Sequence, residues 1–288
     1  MKRLGRLPGL GGPIARLWNT YEHVRFVSAV RLNLRAADVT AEIDPFRLLR
    51  IPPDDITWTE AERFDFISAT GSVRGGTWDR NPERMRTYLV YRNFEQRFRD
   101  GLPWERTDYY ERVAGKIHSG ESTRYATVGE LEAKLRTYDR LYEAFRDGNY
   151  RLQSELVAEG EPSPPGDGGR ALFPSRTDRS LVRHEIAVNV GREGQSIIND
   201  GRHRACLALL AGLEAVPVRV VVRHEQWQAL RDRVATSVDD ALEQGVPPKH
   251  VRGHVAELLT DDLANVPSGL DHPDVDVILR RRLPHREG

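Results

Sequence analysis

The stretch from Ile186 to His224 constrains the fold more than any other part of the chain. Ile186, Val188 and Val190 alternate with their neighbours, the period of a strand with one face buried. Gly191-Arg192-Glu193-Gly194 reads as a turn, and Gln195 to Asn199 as the returning strand. Ala205 to Leu210 reads as a helix with Gly212 placed to cap it. Val216 to Val222 is a third strand, and a last helix carries Trp227 and Leu230. The order strand, turn, strand, helix, strand, helix needs a sheet covered by helices, so the expected class is α+β.

Between the second strand and its helix stands Asp200-Gly201-Arg202-His203-Arg204. The first N–H groups of a helix have no partner inside it, and the helix dipole favours an anion there. A glycine at 201 permits a tight turn and close approach to the backbone. Arg202 and Arg204 put cations where the dipole opposes them, at a cost of about 0.3–1 kcal/mol each at exposed positions. A bound phosphate reverses that penalty. The candidate phosphate-binding residues are therefore Gly201, Arg202, His203 and Arg204, with Asp200 and His203 as candidate catalytic groups.

This turn, the small-residue helix from Ala205 to Gly212 and the strand Val216-Pro217-Val218-Arg219-Val220 resemble the signature of the ParB/sulfiredoxin superfamily. In that superfamily a Gly-x-[His/Arg]-Arg turn opens a helix, and a Gly precedes a Val-Pro-Val-type strand. The resemblance covers Ile186 to His224 and implies a small mixed sheet with helices. It also implies a turn that binds nucleotide phosphates through Gly201, His203 and Arg204, with Asp200 and Arg202 beside them. Two departures narrow it. Sulfiredoxins carry a reactive cysteine between the glycine and the histidine, where this chain has Arg202. Cys206, the single cysteine, falls a helical turn later among Ala205, Leu207 and Leu209, which points to a buried structural thiol. A partition protein would add a helix-turn-helix domain, for which the tail after Thr236 is too short and too Pro-broken.

The rest of the chain frames this block. Residues 1–45 read as a basic N-terminal helical segment, with Ile14, Leu17, Trp18, Tyr21, Val24 and Val27 at helical spacing beside Arg16, Arg25, Arg31 and Arg35. Such a helix packs on its own domain or, less economically, docks on a membrane surface or an acidic partner. The domain itself is expected over 46–236, opening with a strand from Phe46 to Ile51 and continuing through Ile56-Thr57-Trp58. Within it, 59–158 read as a large helical insertion covering the pocket, and 159–179 as a flexible loop rich in Pro and Gly. In the insertion a helix spans Met85 to Asp100, and Thr127-Val128-Gly129-Glu130 forms a capping box before Leu131, Leu135, Tyr138, Tyr142 and Phe145. Beyond Thr236 the pattern breaks around Pro247-Pro248, leaving 237–288 as a short helical extension.

Other clusters could add chemistry. Asp79 and Arg80 follow a Gly-rich stretch and could form a second pocket wall, Asp79 as base or magnesium ligand and Arg80 on phosphate. Arg183-His184-Glu185 and Arg223-His224-Glu225 suggest a metal site, but His and Glu adjacent in a strand point to opposite faces, so none is expected. Lysine is scarce: Lys2, Lys116, Lys134 and Lys249 are its only positions among 43 basic residues. The 43 acidic residues cancel that charge, which disfavours bulk electrostatic coating of nucleic acid. No apolar run of membrane-spanning length exists, and the expected compartment is the cytoplasm.

Three functions fit these residues. The first is an enzyme of phosphate chemistry, a nucleotide hydrolase or small-molecule kinase, with magnesium arriving with its nucleotide. The second is a non-catalytic nucleotide-sensing or interaction module. The third, a DNA-nicking nuclease-like protein, rests on the family resemblance.

Overall fold

The computed structural model describes residues 11–60, 63–121, 123–158, 182 and 184–283. Seven strands form one open mixed sheet: β1 (Leu48–Ile51), β2 (Ile56–Trp58), β3 (Ser72–Arg74), β4 (Glu83–Arg84), β5 (Ile186–Val190), β6 (Ser196–Asp200) and β7 (Val216–His224). Their order is β1-β7-β5-β6-β2-β4. β3 pairs with the second half of β7, continuing the edge that β1 begins along its first half. β5 and β6 are an antiparallel hairpin, whereas β7 runs parallel to β5 and β2 parallel to β6.

The hairpin and the strand after the helix lie where the sequence pattern places them, but the burial differs. β5 was expected to be half-buried, yet all its positions are buried, Ala187 and Asn189 included. A strand flanked on both edges and covered on both faces needs no polar side, and the alternation hid this because Ala and Asn are small. β7 is likewise buried along its whole length.

The helices are α1 (Gly11–Ala36), α2 (Leu89–Phe98), α3 (Asp108–His118), α4 (Val128–Arg146), α5 (Gln153–Ala158), α6 (Arg202–Ala211), α7 (Glu225–Glu243), α8 (Pro248–Leu258), α9 (Thr260–Leu263) and α10 (Pro273–Arg282). α6 packs against α2 and α4, and α7 against α8 and α10. Phe26 and Val30 of α1 pack with Ile67, and Asn33 donates to the carbonyls of Ser68 and Thr70. The helix is thus tied to its own domain, with Tyr21, Val24 and Leu32 exposed. Among the described residues, no helix is long and apolar enough to cross a membrane.

The structure departs from the sequence pattern at three places. Residues 59–158 are not wholly helical, because β3 and β4 lie within them and join the sheet. Thr127 accepts the N–H of Glu130 as a capping box requires, but the Glu130 carboxylate takes the N–H of Ala126, one residue further upstream. The break around Pro247-Pro248 is where α7 gives way to α8, while the 236/237 boundary falls inside α7. Val234, Ala235, Val238 and Ala241 continue its buried face, and Pro248 starts α8 rather than ending a helix. The 159–179 loop lies outside the described residues.

A buried ion cluster locks the C-terminal helices to the sheet. Asp274 of α10 accepts two hydrogen bonds from Arg223 of β7 (2.8 and 2.6 Å) and one from the Trp227 indole (2.9 Å). Arg231 of α7 lies 3.3 Å away and donates to the Asp274 carbonyl. Burial opposes the Asp274 charge, but Arg223 and Arg231 outweigh it and hold the carboxyl well below the usual range. Burial in turn draws the Arg231 guanidinium down to about 10.

Candidate functional site

β6 ends at Asp200 and α6 begins at Arg202, with Gly201 between them at φ 80° and ψ 18°. That left-handed conformation favours glycine, and a Cβ there would also lie 3.0 Å from the Ile186 backbone. No side chain caps the helix. The Asp200 carboxylate, on an exposed residue, accepts the N–H of Gly201 at 2.8 Å. Ala205 N–H is the first to bond within the helix, to Gly201 O. The main-chain N–H groups of Arg202, His203 and Arg204 find no acceptor among the described residues. They are the donors through which a helix start holds an anion.

The side chains of the turn part company. Arg202 donates to the Tyr88 hydroxyl at 2.9 Å, and Arg63 donates to the same oxygen at 2.8 Å. Two guanidinium groups thus share one neutral acceptor, and neither makes an ion pair among the described residues. The Tyr88 ring rests on Trp58, 4.8 Å between centroids.

His203 points into the helical layer. Its ring stacks on Tyr138, 5.2 Å away and 16° from parallel, and lies 5.9 Å from Phe94. Burial, reinforced by Arg202, Lys134 and Arg124, pulls its pKa down to about 4. Burial thus disfavours the imidazolium, and the ring's contacts are with Tyr138 and Phe94.

Arg204, expected on the phosphate, instead turns to the opposite side. It donates to the Glu185 carboxylate at 2.9 Å and to the carbonyls of His184 and Arg151 at 3.3 Å, and it covers the Tyr150 ring at 4.8 Å. Glu185 is buried and also accepts the N–H of Gln153. This is a structural clamp between α6, α5 and the start of β5.

Asp79 and Arg80 do not form a second wall. Asp79 is buried and bound by the Arg192 guanidinium and main-chain N–H, the shortest contact being 2.7 Å. Burial opposes its charge, but the Arg192 hydrogen bonds outweigh burial and hold its pKa below the ordinary range. Arg192 belongs to the turn before β6, while Gly201 follows its end, and five residues of strand separate the two by roughly 16 Å. The Asp79 carboxylate therefore fixes the hairpin turn and stands away from the α6 turn, where a base or magnesium ligand would be needed.

The His224 ring is also committed. His224 accepts the N–H of Gln226 through Nδ1 and, by that tautomer, donates from Nε2 to the Gly76 carbonyl. Among the described residues, no cluster of three or more metal-ligating side chains forms. Burial pushes the Cys206 thiol up, away from the reactive thiolate range, in keeping with an inert core residue.

Reasoning from sequence missed the groups that surround the turn. Tyr88 counts as one more aromatic in a helical stripe, and nothing in the pattern marks its hydroxyl. Arg63 is one arginine among many. Lys134 carried a usable signal, as one of only four lysines and the one set beside the apolar stripe of α4. Its amine lies over the Tyr138 ring at 4.8 Å. Burial lowers its pKa, and nearby Arg124 lowers it further.

The α6 N-terminus thus collects Arg63, Arg202, Lys134 and Arg124 around an aromatic wall, with Asp200 at its rim. No family model, curated protein or solved structure matches the chain.

Proposed function

We propose that the chain binds the phosphate groups of a nucleotide or another phosphorylated small molecule at the N-terminus of α6, in the manner of the ParB/sulfiredoxin superfamily that it resembles. The observation that carries this reading is the set of main-chain N–H groups at Arg202, His203 and Arg204 without a described acceptor, beside two guanidinium groups that share the Tyr88 hydroxyl. A phenol oxygen accepts both hydrogen bonds but neutralises neither charge. A phosphate would supply that charge and the acceptors together, and charge-assisted hydrogen bonds are about twice as strong as neutral ones. Strand end, left-handed glycine and helix start in succession supply the expected frame.

Within this reading Gly201 lets the anion approach, Arg202 and Arg63 hold it, and Tyr88 keeps both guanidiniums in place. His203 and Arg204 shape the turn from behind. The test is a thermal-shift screen of nucleoside mono-, di- and triphosphates, with and without magnesium, on wild type and Arg202→Ala. A selective upward shift lost in the variant supports the site. No shift with any of them removes it.

Asp200 favours an enzymatic version of the same site. It is the exposed carboxylate at the turn, placed where a base or a magnesium ion accompanying the phosphates would be needed. In that version Asp200→Asn keeps ligand binding and abolishes turnover. Binding by wild type with no turnover leaves a sensing module.

A further inference from the structure

The cations near α6 outnumber what a single phosphate at the helix start would use. Lys134 lies on α4, one turn before Tyr138, and its amine covers the Tyr138 ring on which His203 stacks. It is partly buried. Arg124, from the segment before α4, is close enough to repel it, and Lys134, Arg124 and Arg202 all act on the His203 ring.

None of these charges has a carboxylate among the described residues, although α4 carries several. Three of them are drawn elsewhere. Glu130 caps the helix through Ala126, Glu132 accepts the Tyr110 hydroxyl, and Asp139 holds Arg97 and the Trp104 indole. The Lys134 ammonium has a ring face as its partner, which attracts the charge but does not neutralise it. Arg124 adds repulsion to the deficit. Lys134 is partly buried and Arg124 exposed, and an anion beside them would supply the counter-charge that the described residues do not.

We propose that Lys134 and Arg124 form a second anion subsite, so that the ligand carries at least two phosphate groups, one on the α6 N-terminus with Arg202 and Arg63 and the next on Lys134 and Arg124. This rests on the phosphate reading of the α6 turn and names its ligand class, a diphosphate or longer. The helical layer, and not the turn resembling a known family, then sets the number of phosphates recognised.

The test is isothermal titration of the full chain with inorganic orthophosphate and inorganic pyrophosphate, on wild type, Lys134→Met and Arg202→Ala. Methionine keeps the aliphatic stem over Tyr138, and an unchanged thermal midpoint without ligand confirms that the variant is folded. Wild type is expected to prefer pyrophosphate by about tenfold, a spacing of about 1.4 kcal/mol. Lys134→Met should erase that preference, and Arg202→Ala should weaken both anions. Equal affinity of wild type for the two anions, or a preference that survives in Lys134→Met, overturns the second subsite and leaves the α6 site standing. Failure of wild type to bind either anion overturns both.

Discussion

The imidazole of His203 lies flat against the phenol ring of Tyr138, 5.2 Å between centroids and 16° from parallel, which joins the first turn of α6 to the middle of α4. Protonation would put a charge into this largely buried contact, beside Lys134 and Arg202. The folded pKa of about 4 lies below the ordinary 6.5. Between those values the unfolded chain binds a proton that the folded chain refuses, so this residue's contribution to stability is complete above pH 6.5 and is lost as pH falls toward 4. Thermal midpoints of wild type should therefore drop across that window more steeply than those of His203→Phe. Parallel curves would show that His203 does not carry the effect.

The same stack links pH to ligand. A bound dianion near His203 would raise its pKa, so saturating ligand should shrink the difference in pH dependence between wild type and His203→Phe. Thermal midpoints of the two proteins with and without ligand read this directly. An unchanged difference would contradict the placement of the anion.

Arg204 and Arg202 separate stability from binding. Arg204→Ala leaves the buried Glu185 without its cation, a loss typically costing about 3–5 kcal/mol. Arg202→Ala removes only a hydrogen bond to Tyr88, typically about 1 kcal/mol. Chemical denaturation should place the two far apart in stability, and in the opposite order for phosphate affinity measured under conditions where both remain folded. Arg204→Ala with normal stability and no affinity would restore Arg204 to the site.

The Asp274 cluster should be as unforgiving. Asp274→Ala leaves Arg223 and Arg231 buried beside each other without a carboxylate, a change expected to cost about 3–5 kcal/mol. Urea denaturation of Asp274→Ala and Asp274→Asn should show both as severely destabilised. A loss under about 1 kcal/mol would show that α10 is not held by this ion cluster.

How much of this the sequence disclosed depends on how local each feature is. The β5–β6 hairpin, Gly201, α6 and β7 are written in neighbouring residues, through period-2 alternation and glycines at a turn and a cap, and all appear where those signals put them. β3 joining the sheet from within a presumed helical insertion is not, because three residues without a pattern become a strand only when the edge of β7 is free to receive them. The site divides in the same way. The amide donors follow from a strand running into a glycine and a helix. The fate of the side chains does not, since the partners of Arg204, Asp79 and Arg202 are Glu185, Arg192 and Tyr88, and the last two are more than 110 residues away in the chain. A carboxylate or guanidinium in a motif is a candidate until its counter-ion is known. Here the counter-ions of Asp79 and Arg204 come from within the fold, whereas Arg202 has a neutral partner in the Tyr88 hydroxyl.

The most direct measurement is the amide spectrum of the isotopically labelled protein during titration with a nucleoside diphosphate. The main-chain N–H resonances of Arg202, His203 and Arg204 should move first and furthest, saturating together, with the amides around Asp79 and Arg192 unmoved. Saturating shifts that avoid the start of α6, or none at all at millimolar ligand, would contradict the account.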